Sequence, residues 1–251
     1  MNDTIKHQLE HRTYREFTGE KIPEDTMNTL FEVANRTATS VGVQSFSIIR
    51  VTDPEIRKEI AEVCNQEYVA RAPELLIFIS DCYRNREIAK EQGIDTPVAK
   101  GIDRFFQGVS DAVLAAQNMT NAIESLGMGA VYLGSILNDP ERIIELLHLP
   151  ELTFPVLGLG FGYPNQEPLL KPRMPFELKV FENEYQVLPS YMEALKEYDE
   201  EMMEYYDLRD SNRRRDTFTH QVLVRFEQVI EKRTEMLRVV KKQGFDLNVG
   251  E

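Results

Sequence analysis

The sequence is poor in cysteine, in long apolar runs and in positive charge. It holds two cysteines among 251 residues, Cys64 and Cys82, too few for a disulfide framework or a cysteine-based metal site. We expect both thiols to be reduced and no metal to be bound. No segment approaches the ~20 apolar residues of a transmembrane helix, and residues 1–10 alternate charge and polarity instead of forming a signal-peptide core. These absences predict a cytoplasmic protein.

Basic side chains are outnumbered by acidic ones. The 29 lysines and arginines stand against 42 aspartates and glutamates, which gives a net charge of −13 at pH 7. Nucleic acids and anionic membranes would repel such a surface, so we expect neither as a partner. The charge does not exclude one small anionic ligand held in a locally basic pocket.

Several catalytic and nucleotide-binding motifs are also absent. The sequence has no P-loop, no H-E-x-x-H, no C-x-x-C and no G-x-S-x-G. Gly158, Gly160 and Gly162 are spaced somewhat like a dinucleotide-binding loop. However, Tyr163-Pro164 follows them, where phosphate binding needs the start of a helix. We therefore interpret the three glycines as packing positions in a strand.

Hydrophobic periodicity predicts helices and strands in mixed order. The predicted helices cover 3–10, 23–34, 54–63, 102–126, 140–147, 189–206 and 217–243, and the predicted strands cover 45–51, 74–80, 129–134 and 156–161. Because this order does not alternate strictly, it favours an α+β fold over a doubly wound sheet. We expect a single domain over residues 1–251, with an extended proline-rich arm at about 163–188 and a C-terminal helical segment at about 189–251.

Three short segments concentrate basic side chains. They are H-R-T-Y-R at 11–15, K-P-R-M-P at 171–175 and R-D-S-N-R-R-R at 209–215. Guanidinium groups make bidentate, charge-assisted bonds to phosphate, and the prolines of the second segment restrict its backbone. Each segment alone is also compatible with a solvated loop, arm or helix flank, so composition leaves both interpretations open.

Seven segments, taken in order, resemble one known family. They are H-R-T-Y-R-E-F (11–17), A-T-S-V-G-V-Q-S-F-S-I-I-R-V (38–51), N-Q-E-Y (65–68), E-S-L-G-M-G-A-V-Y-L-G-S (124–135), G-L-G-F-G-Y-P (158–164), L-K-P-R-M-P (170–175) and the tail at 198–218. Together they resemble the nitroreductase superfamily, most nearly its NADPH-dependent FMN oxidoreductases of the flavin reductase and major oxygen-insensitive nitroreductase type. The similarity is collinear over nearly the whole chain.

The resemblance implies a fold, a cofactor and a set of contacts. It implies an α+β fold with a mixed sheet flanked by helices, and an intertwined homodimer with FMN at the interface. The implied FMN contacts are His11, Arg12, Thr13, Arg15, Thr39, Gln44, Gln66, Tyr68, Tyr132, Leu133, Gly134, Ser135, Lys171 and Arg173. The resemblance also links Arg209 to NADPH and places Arg213, Arg214 and Arg215 where the 2′-phosphate could be held.

The activity implied by the resemblance is hydride transfer from NADPH to the flavin and onward to an acceptor, by a ping-pong mechanism. The cofactor carries the chemistry, and we expect Arg15 to stabilise the reduced flavin. Nitro compounds, quinones, chromate and free flavins are all candidate acceptors. Two alternatives stay open: a non-catalytic flavin-binding sensor or storage protein, and a different flavin chemistry on the same fold.

The sequence departs from the common family pattern at four places. Thr13 stands where serine is common, and Gly42 where a bulkier residue is often seen. Cys64-Asn65-Gln66 replaces a frequent G-G-Q and is one residue shorter, and Ser135 replaces a common glycine. These changes leave FMN binding expected and the preferred acceptor open.

Overall fold

An antiparallel sheet carries the core in the computed structural model, which describes residues 1–209 and 216–247. Its strands are β1 (Phe46–Arg50), β2 (Glu74–Asp81), β3 (Gly129–Leu133) and β4 (Thr153–Gly162). The strand order is β1-β2-β4-β3, and each neighbouring pair is antiparallel. A parallel bridge between Thr13 and Ala130 adds a further backbone segment beside the edge strand β3. With the helices described next, this sheet confirms the α+β class.

Helices make up most of the remaining regular structure and follow the predicted periodicity over most of the chain. They are α1 (Asp3–Leu9), α2 (Glu24–Asn35), α3 (Pro54–Cys64), α4 (Tyr68–Arg71), α5 (Tyr83–Glu91), α6 (Ile102–Ser125), α7 (Pro140–Leu146), α8 (Tyr191–Ala194), α9 (Lys196–Arg209), α10 (Phe218–Glu227), α11 (Glu231–Thr234) and α12 (Met236–Lys242). The periodicity did not predict α4 or α5. Within the described residues, no helix combines the length and apolarity needed to cross a membrane.

The prediction of one helix over 217–243 is wrong. The segment forms α10, α11 and α12, and the first break falls at Gln228, Val229 and Ile230. Ile230 adopts extended dihedrals (φ −106°, ψ 101°), in keeping with the preference of two consecutive β-branched residues for extended backbone. The helix predicted over 189–206 is also divided, at Leu195, into α8 and α9.

Strand β2 is buried along its whole length and contributes side chains to two apolar clusters, one on each of its faces. Leu76 and Phe78 join the cluster formed with α2 and α6, whereas Leu75 and Ile77 join the cluster formed with α3 and α7. Alternate residues of a strand point to opposite faces, so one apolar run supports both layers of helices.

The chain forms two compact units, each with most of its contacts inside itself. The first comprises residues 1–166 and 230–251, and the second comprises residues 167–229. In the first unit, Val240 and Phe245 of the C-terminal segment pack with Leu152 and Phe154. The second unit has its own small core around Tyr198, formed with the residues Leu195, Met202, Met174, Leu178, Tyr206 and Phe218. The single domain expected over 1–251 stays a prediction.

The glycines of β4 are packing positions, as the sequence analysis interpreted them. A Cβ added to Gly162 would lie 2.5 Å from Cγ of Pro73, and one added to Gly158 would lie 3.0 Å from Cβ of Leu133. A larger residue at Gly162 would displace the chain that precedes β2.

Candidate active site

The first basic segment lies along the free edge of β3. The backbone N–H of Tyr14 donates to the carbonyl of Ala130 at 3.0 Å, beside the bridge between Thr13 and Ala130. The ring of Tyr14 covers Gly129 so closely that an added Cβ would lie 2.4 Å from its Cγ. The segment is thereby fixed in extended form. Sequence reasoning missed this role of Tyr14 and Gly129.

His11, at the start of this segment, is held by a carboxylate from α6. Its Nδ1 lies 2.6 Å from Oε1 of Glu124, and both side chains are partly buried. The neighbouring Arg12 donates from Nη1 to the carbonyl of Glu10 at 3.2 Å. Glu124 begins one of the quoted family segments, which is the signal that could have identified it as part of the site.

Arg15 is brought to Tyr68, a residue from a distant segment. Burial raises the pKa of Tyr68, and a hydrogen bond with Arg15 partly offsets that rise. The two residues are 53 positions apart in sequence, and both were predicted as cofactor contacts. Their contact joins the 11–17 segment to the start of α4.

Gln66 is brought to Ser135, which lies in the short helical turn Gly134–Asn138 after β3. The Ser135 hydroxyl donates to Oε1 of Gln66 at 2.9 Å. Between α3 and α4 the backbone reverses at Asn65, whose left-handed conformation (φ 52°) ends α3 at Cys64. Burial raises the pKa of the Cys64 thiol, and a hydrogen bond with Ser135 opposes the rise. Cys64, Gln66 and Ser135 therefore form one connected group.

The last residues of β3 and the glycine that follows it were also predicted as cofactor contacts. The Tyr132 hydroxyl donates to Oγ1 of Thr120 at 2.7 Å, and burial raises the pKa of Tyr132 to about 12. The Leu133 side chain is buried in the core, so its backbone is the part it can offer to a ligand. A Cβ added to Gly134 would meet no atom within 4 Å, which leaves open space at this position.

Thr39 and Gln44 lie on a separate loop that α5 and α6 support. The buried carboxylate of Asp111 accepts from the backbone N–H of Ser40 at 2.7 Å and of Ser45 at 2.9 Å. Arg84 of α5 donates to the carbonyl of Gln44. Asp111 was missed, although an acidic residue inside the apolar stripe of α6 is a signal that sequence reasoning could have used.

This loop does not lie beside His11 in the same chain. Asp111 holds the loop, whereas Glu124 holds His11, and the two acidic residues are 13 positions apart on α6. At a rise of 1.5 Å per residue, they are separated by about 20 Å along the helix. Of the predicted contacts in the first unit, the structure thus brings together those of the Arg15 and Gln66 groups and keeps Thr39 and Gln44 apart.

Lys171 and Arg173 lie in the second unit, in a stretch without regular secondary structure. Arg173 donates from Nη1 to the carbonyl of Lys171 at 3.0 Å, and the Lys171 ammonium lies 5.9 Å from the centroid of the Tyr206 ring. The Tyr198 hydroxyl donates to the carbonyl of Pro172 at 3.3 Å, which anchors the arm between the two cations. The side chain of Arg209 and residues Arg213, Arg214 and Arg215 lie outside what the structure describes.

Two family models together match most of the chain. The model of the Nitroreductase family matches residues 9–163, and that of the Nitroreductase family, C-terminal domain, matches residues 171–248. The chain belongs to the nitroreductase family.

Relatives of the nitroreductase family match over almost their full length. The chain is 35% identical to an FMN reductase (NADPH) of Bacillus subtilis, covering 99% of this chain and 100% of the relative. It is 37% identical to an oxygen-insensitive NADPH nitroreductase of Salmonella typhimurium, with coverage of 98% and 99%. A solved NADPH:FMN oxidoreductase from Vibrio harveyi in complex with NAD+ superposes with a TM-score of 0.87, at 32% identity and with 98% and 100% of the two chains covered.

Proposed function

We propose that this nitroreductase-family protein is an NADPH-dependent FMN oxidoreductase that passes hydride from NADPH through the flavin to a small-molecule acceptor. The observation that carries the proposal is the convergence of three distant segments, through the Arg15–Tyr68 and Ser135–Gln66 contacts. The near full-length relatives named above as FMN reductase and NADPH nitroreductase support the same activity.

The residues of the first unit suit the ring end of FMN. Gln66 and Tyr68 offer hydrogen-bonding groups, Gly134 leaves space, and the Arg15 guanidinium supplies positive charge. When bound, FMN supplies hydride acceptance and electron transfer. Arg15 would stabilise the negative charge that reduction adds to the ring, because a fixed cation lowers the energy of a charge that develops beside it. His11, Arg12 and Thr13 would contact the same cofactor.

Lys171 and Arg173 suit the phosphate end. An ammonium and a guanidinium are the side chains that bind phosphate by charge-assisted hydrogen bonds. The contacts that hold them go to carbonyls and to an aromatic ring, which leaves both charges uncompensated within the described part of the chain.

NADPH preference is assigned to Arg209 and the Arg213–Arg215 run. An Arg209→Ala variant should raise the KM for NADPH with a much smaller effect on NADH, because the 2′-phosphate is the group that distinguishes the two. Equal effects on both donors would remove the assignment.

We propose a homodimer, which the separation of the two groups of contacts supports. If the loop of Thr39 and Gln44 is held about 20 Å from the His11 end of α6, an FMN at an interface can take this loop from a second copy of the chain. Helix α6 also exposes apolar side chains that a second copy could cover: Phe106 is 61% exposed, Leu114 51% and Val113 43%. Sedimentation equilibrium should give twice the chain mass, and a monomer that retains FMN would contradict this arrangement. The cytoplasmic location stays a prediction.

An anaerobic titration tests the function directly. Purified protein should show a flavin absorption band that NADPH bleaches and that an added quinone, nitroaromatic or free flavin restores. Steady-state double-reciprocal plots should run parallel, as alternate occupancy of one site requires. Protein that binds flavin but is not bleached by NADPH would instead be a flavin-binding sensor or storage protein.

A further inference from the structure

Two residues singled out as departures from the family pattern meet in the structure. Cys64 ends α3, and Ser135 lies in the short helical turn Gly134–Asn138 that follows β3, more than 70 positions later. The Ser135 hydroxyl donates to Oε1 of Gln66 at 2.9 Å. Burial raises the pKa of the Cys64 thiol, and the neighbouring Ser135 opposes that rise. The two departures therefore lie beside each other, next to Gln66.

The direction of the Ser135–Gln66 hydrogen bond follows from the groups involved. A serine hydroxyl has a single proton, and Ser135 gives it to Oε1 of Gln66. An amide oxygen can only accept, so Ser135 is the donor and Oε1 of Gln66 is the acceptor.

The hydrogen bond from Ser135 fixes which end of the Gln66 amide is available to a ligand. An amide carries an acceptor oxygen and a donor NH2, and rotation about its last side-chain bond exchanges them. With Oε1 engaged by Ser135, the NH2 group is left as the donor. We propose that Ser135 is a positioning residue that locks Gln66 as a hydrogen-bond donor toward the flavin, and that it thereby raises the reduction potential of the bound cofactor. This inference rests on the proposed FMN-binding function.

The electrostatic reason is the change in charge on reduction. A donor strengthens its hydrogen bond when its acceptor becomes negative, because charge-assisted bonds are about twice as strong as neutral ones. Gln66 held as a donor therefore favours reduced flavin over oxidised flavin. Without the Ser135 hydroxyl, the amide can turn its oxygen toward the ring and lose this preference.

The test compares Ser135→Ala and Ser135→Thr with the wild-type holoprotein. The readouts are the midpoint potential of bound FMN, measured by anaerobic dye equilibration, and the affinity for oxidised FMN. We expect Ser135→Ala to lower, about tenfold, the ratio of the affinity for reduced FMN to the affinity for oxidised FMN. For a two-electron couple, this lowers the midpoint potential of bound FMN by about 30 mV. The potential of Ser135→Thr should stay near that of the wild type, because its hydroxyl is retained.

Two further variants separate positioning from a general loss of structure. Gln66→Glu cannot donate when ionised, so its potential should fall further than that of Ser135→Ala. Ser125→Ala is the matched control, because that exposed hydroxyl donates to the carbonyl of Ala122 at 2.8 Å and should leave the potential unchanged. A Ser135→Ala protein with the wild-type potential, whatever its thermal stability, overturns the inference.

Failure of the proposed function has a different signature. If the wild-type protein purifies without flavin and does not bind added FMN, both the function and the inference fall. If the wild type binds FMN and is reduced by NADPH, but the Ser135 and Gln66 variants share its potential, the inference alone fails.

Discussion

The cations expected to meet FMN are held differently in the two units. In the first unit, Arg15 lies beside Tyr68 and partly offsets the rise that burial causes in the pKa of that tyrosine, and His11 is paired with the carboxylate of Glu124. In the second unit, Arg173 donates to the carbonyl of Lys171, while the Lys171 ammonium lies over the Tyr206 ring. Side chains position the first pair, and local backbone and one aromatic ring position the second.

This difference suits the two ends of the proposed cofactor. A ring that changes charge during the reaction needs groups fixed in advance, because preorganised charge costs no rearrangement at the moment of transfer. A phosphate keeps its charge throughout and needs net positive charge. A carboxylate beside Lys171 or Arg173 would cancel that charge, and within the residues that the structure describes neither cation forms an ion pair.

The largest expected effect is on FMN affinity, when the two cations proposed to bind the phosphate are removed. A Lys171→Ala, Arg173→Ala double variant should weaken binding of FMN to the apoprotein at least 100-fold. Hydrogen bonds to charged groups contribute about 1.5–3 kcal/mol each, and every 1.4 kcal/mol is tenfold in affinity. Quenching of flavin fluorescence on titration measures the change. The wild-type affinity should also fall as salt is raised, more steeply than that of the variant.

Lys179→Ala is the matched control for this experiment, since Lys179 is an exposed cation in the same unit. Its affinity for FMN should equal that of the wild type. If Lys179→Ala weakens binding as much as the double variant, general attraction by the unit's charge, not contact by the arm, explains the effect.

The next effect concerns the ring end. Arg15→Ala should lower the rate of flavin reduction by NADPH about 10- to 100-fold, because one charge-assisted interaction of about 1.5–3 kcal/mol is lost in the reduced state. Arg15→Lys should recover part of the rate, since it keeps the charge but not the planar guanidinium. Stopped-flow absorbance under anaerobic conditions measures the step. Equal losses in both variants would mean that geometry, not charge, is what Arg15 supplies.

The sequence was most informative where function depends on residues close together in the chain. Apolar spacing located α6 and β2 nearly to the residue, and the family resemblance predicted cofactor contacts in the segments of Arg15 and Gln66, which the structure brings together through Tyr68. The acidic Asp111 in the apolar stripe of α6 is a local signal, but its two backbone partners lie 66 and 71 positions away, so no local pattern predicts that it supports the loop. Nor could spacing predict the break at Ile230, where the preferences of single residues outweigh helical periodicity.

A smaller effect on stability tests the support of the Thr39–Gln44 loop. Asp111→Asn replaces one of two carboxylate oxygens by an NH2 group, so a buried backbone N–H of Ser40 or Ser45 loses its acceptor. We expect a loss of about 1–3 kcal/mol in the free energy of unfolding, the usual cost of an unsatisfied buried polar group. Urea unfolding measures it. Asp103→Asn, an exposed change on the same helix, is the control and should leave stability unchanged.

The loop experiment also separates stability from cofactor binding. If the loop meets FMN from a second copy of the chain, Asp111→Asn should weaken both FMN binding and dimerisation. A variant that is destabilised but retains full FMN affinity would show that Asp111 supports the fold alone and that the loop of Thr39 and Gln44 does not contact the cofactor.

The smallest expected effect is a pH-dependent change in stability. It compares a cation that has a carboxylate partner, in the first unit, with the cations of the second unit that have none among the described residues. In the first unit, a hydrogen bond from Arg86 lowers the pKa of Glu151. A carboxylate with a lowered folded pKa contributes stability above its unfolded pKa of about 4.3 and loses it as the pH falls through the folded value. Glu151→Gln should therefore be less stable than the wild type at pH 7, by at most about 1 kcal/mol because Glu151 is half exposed.

That difference should disappear as the pH falls below the folded pKa of Glu151, because the wild-type carboxyl is then neutral as well. Urea unfolding at pH 7 and at about pH 3 measures it. The Lys171→Ala, Arg173→Ala variant provides the contrast: with no carboxylate partner among the described residues, its stability relative to the wild type should not depend on pH over this range. A pH-dependent difference in the double variant would mean that the arm's cations are paired in solution, and the contrast between the two units would be lost.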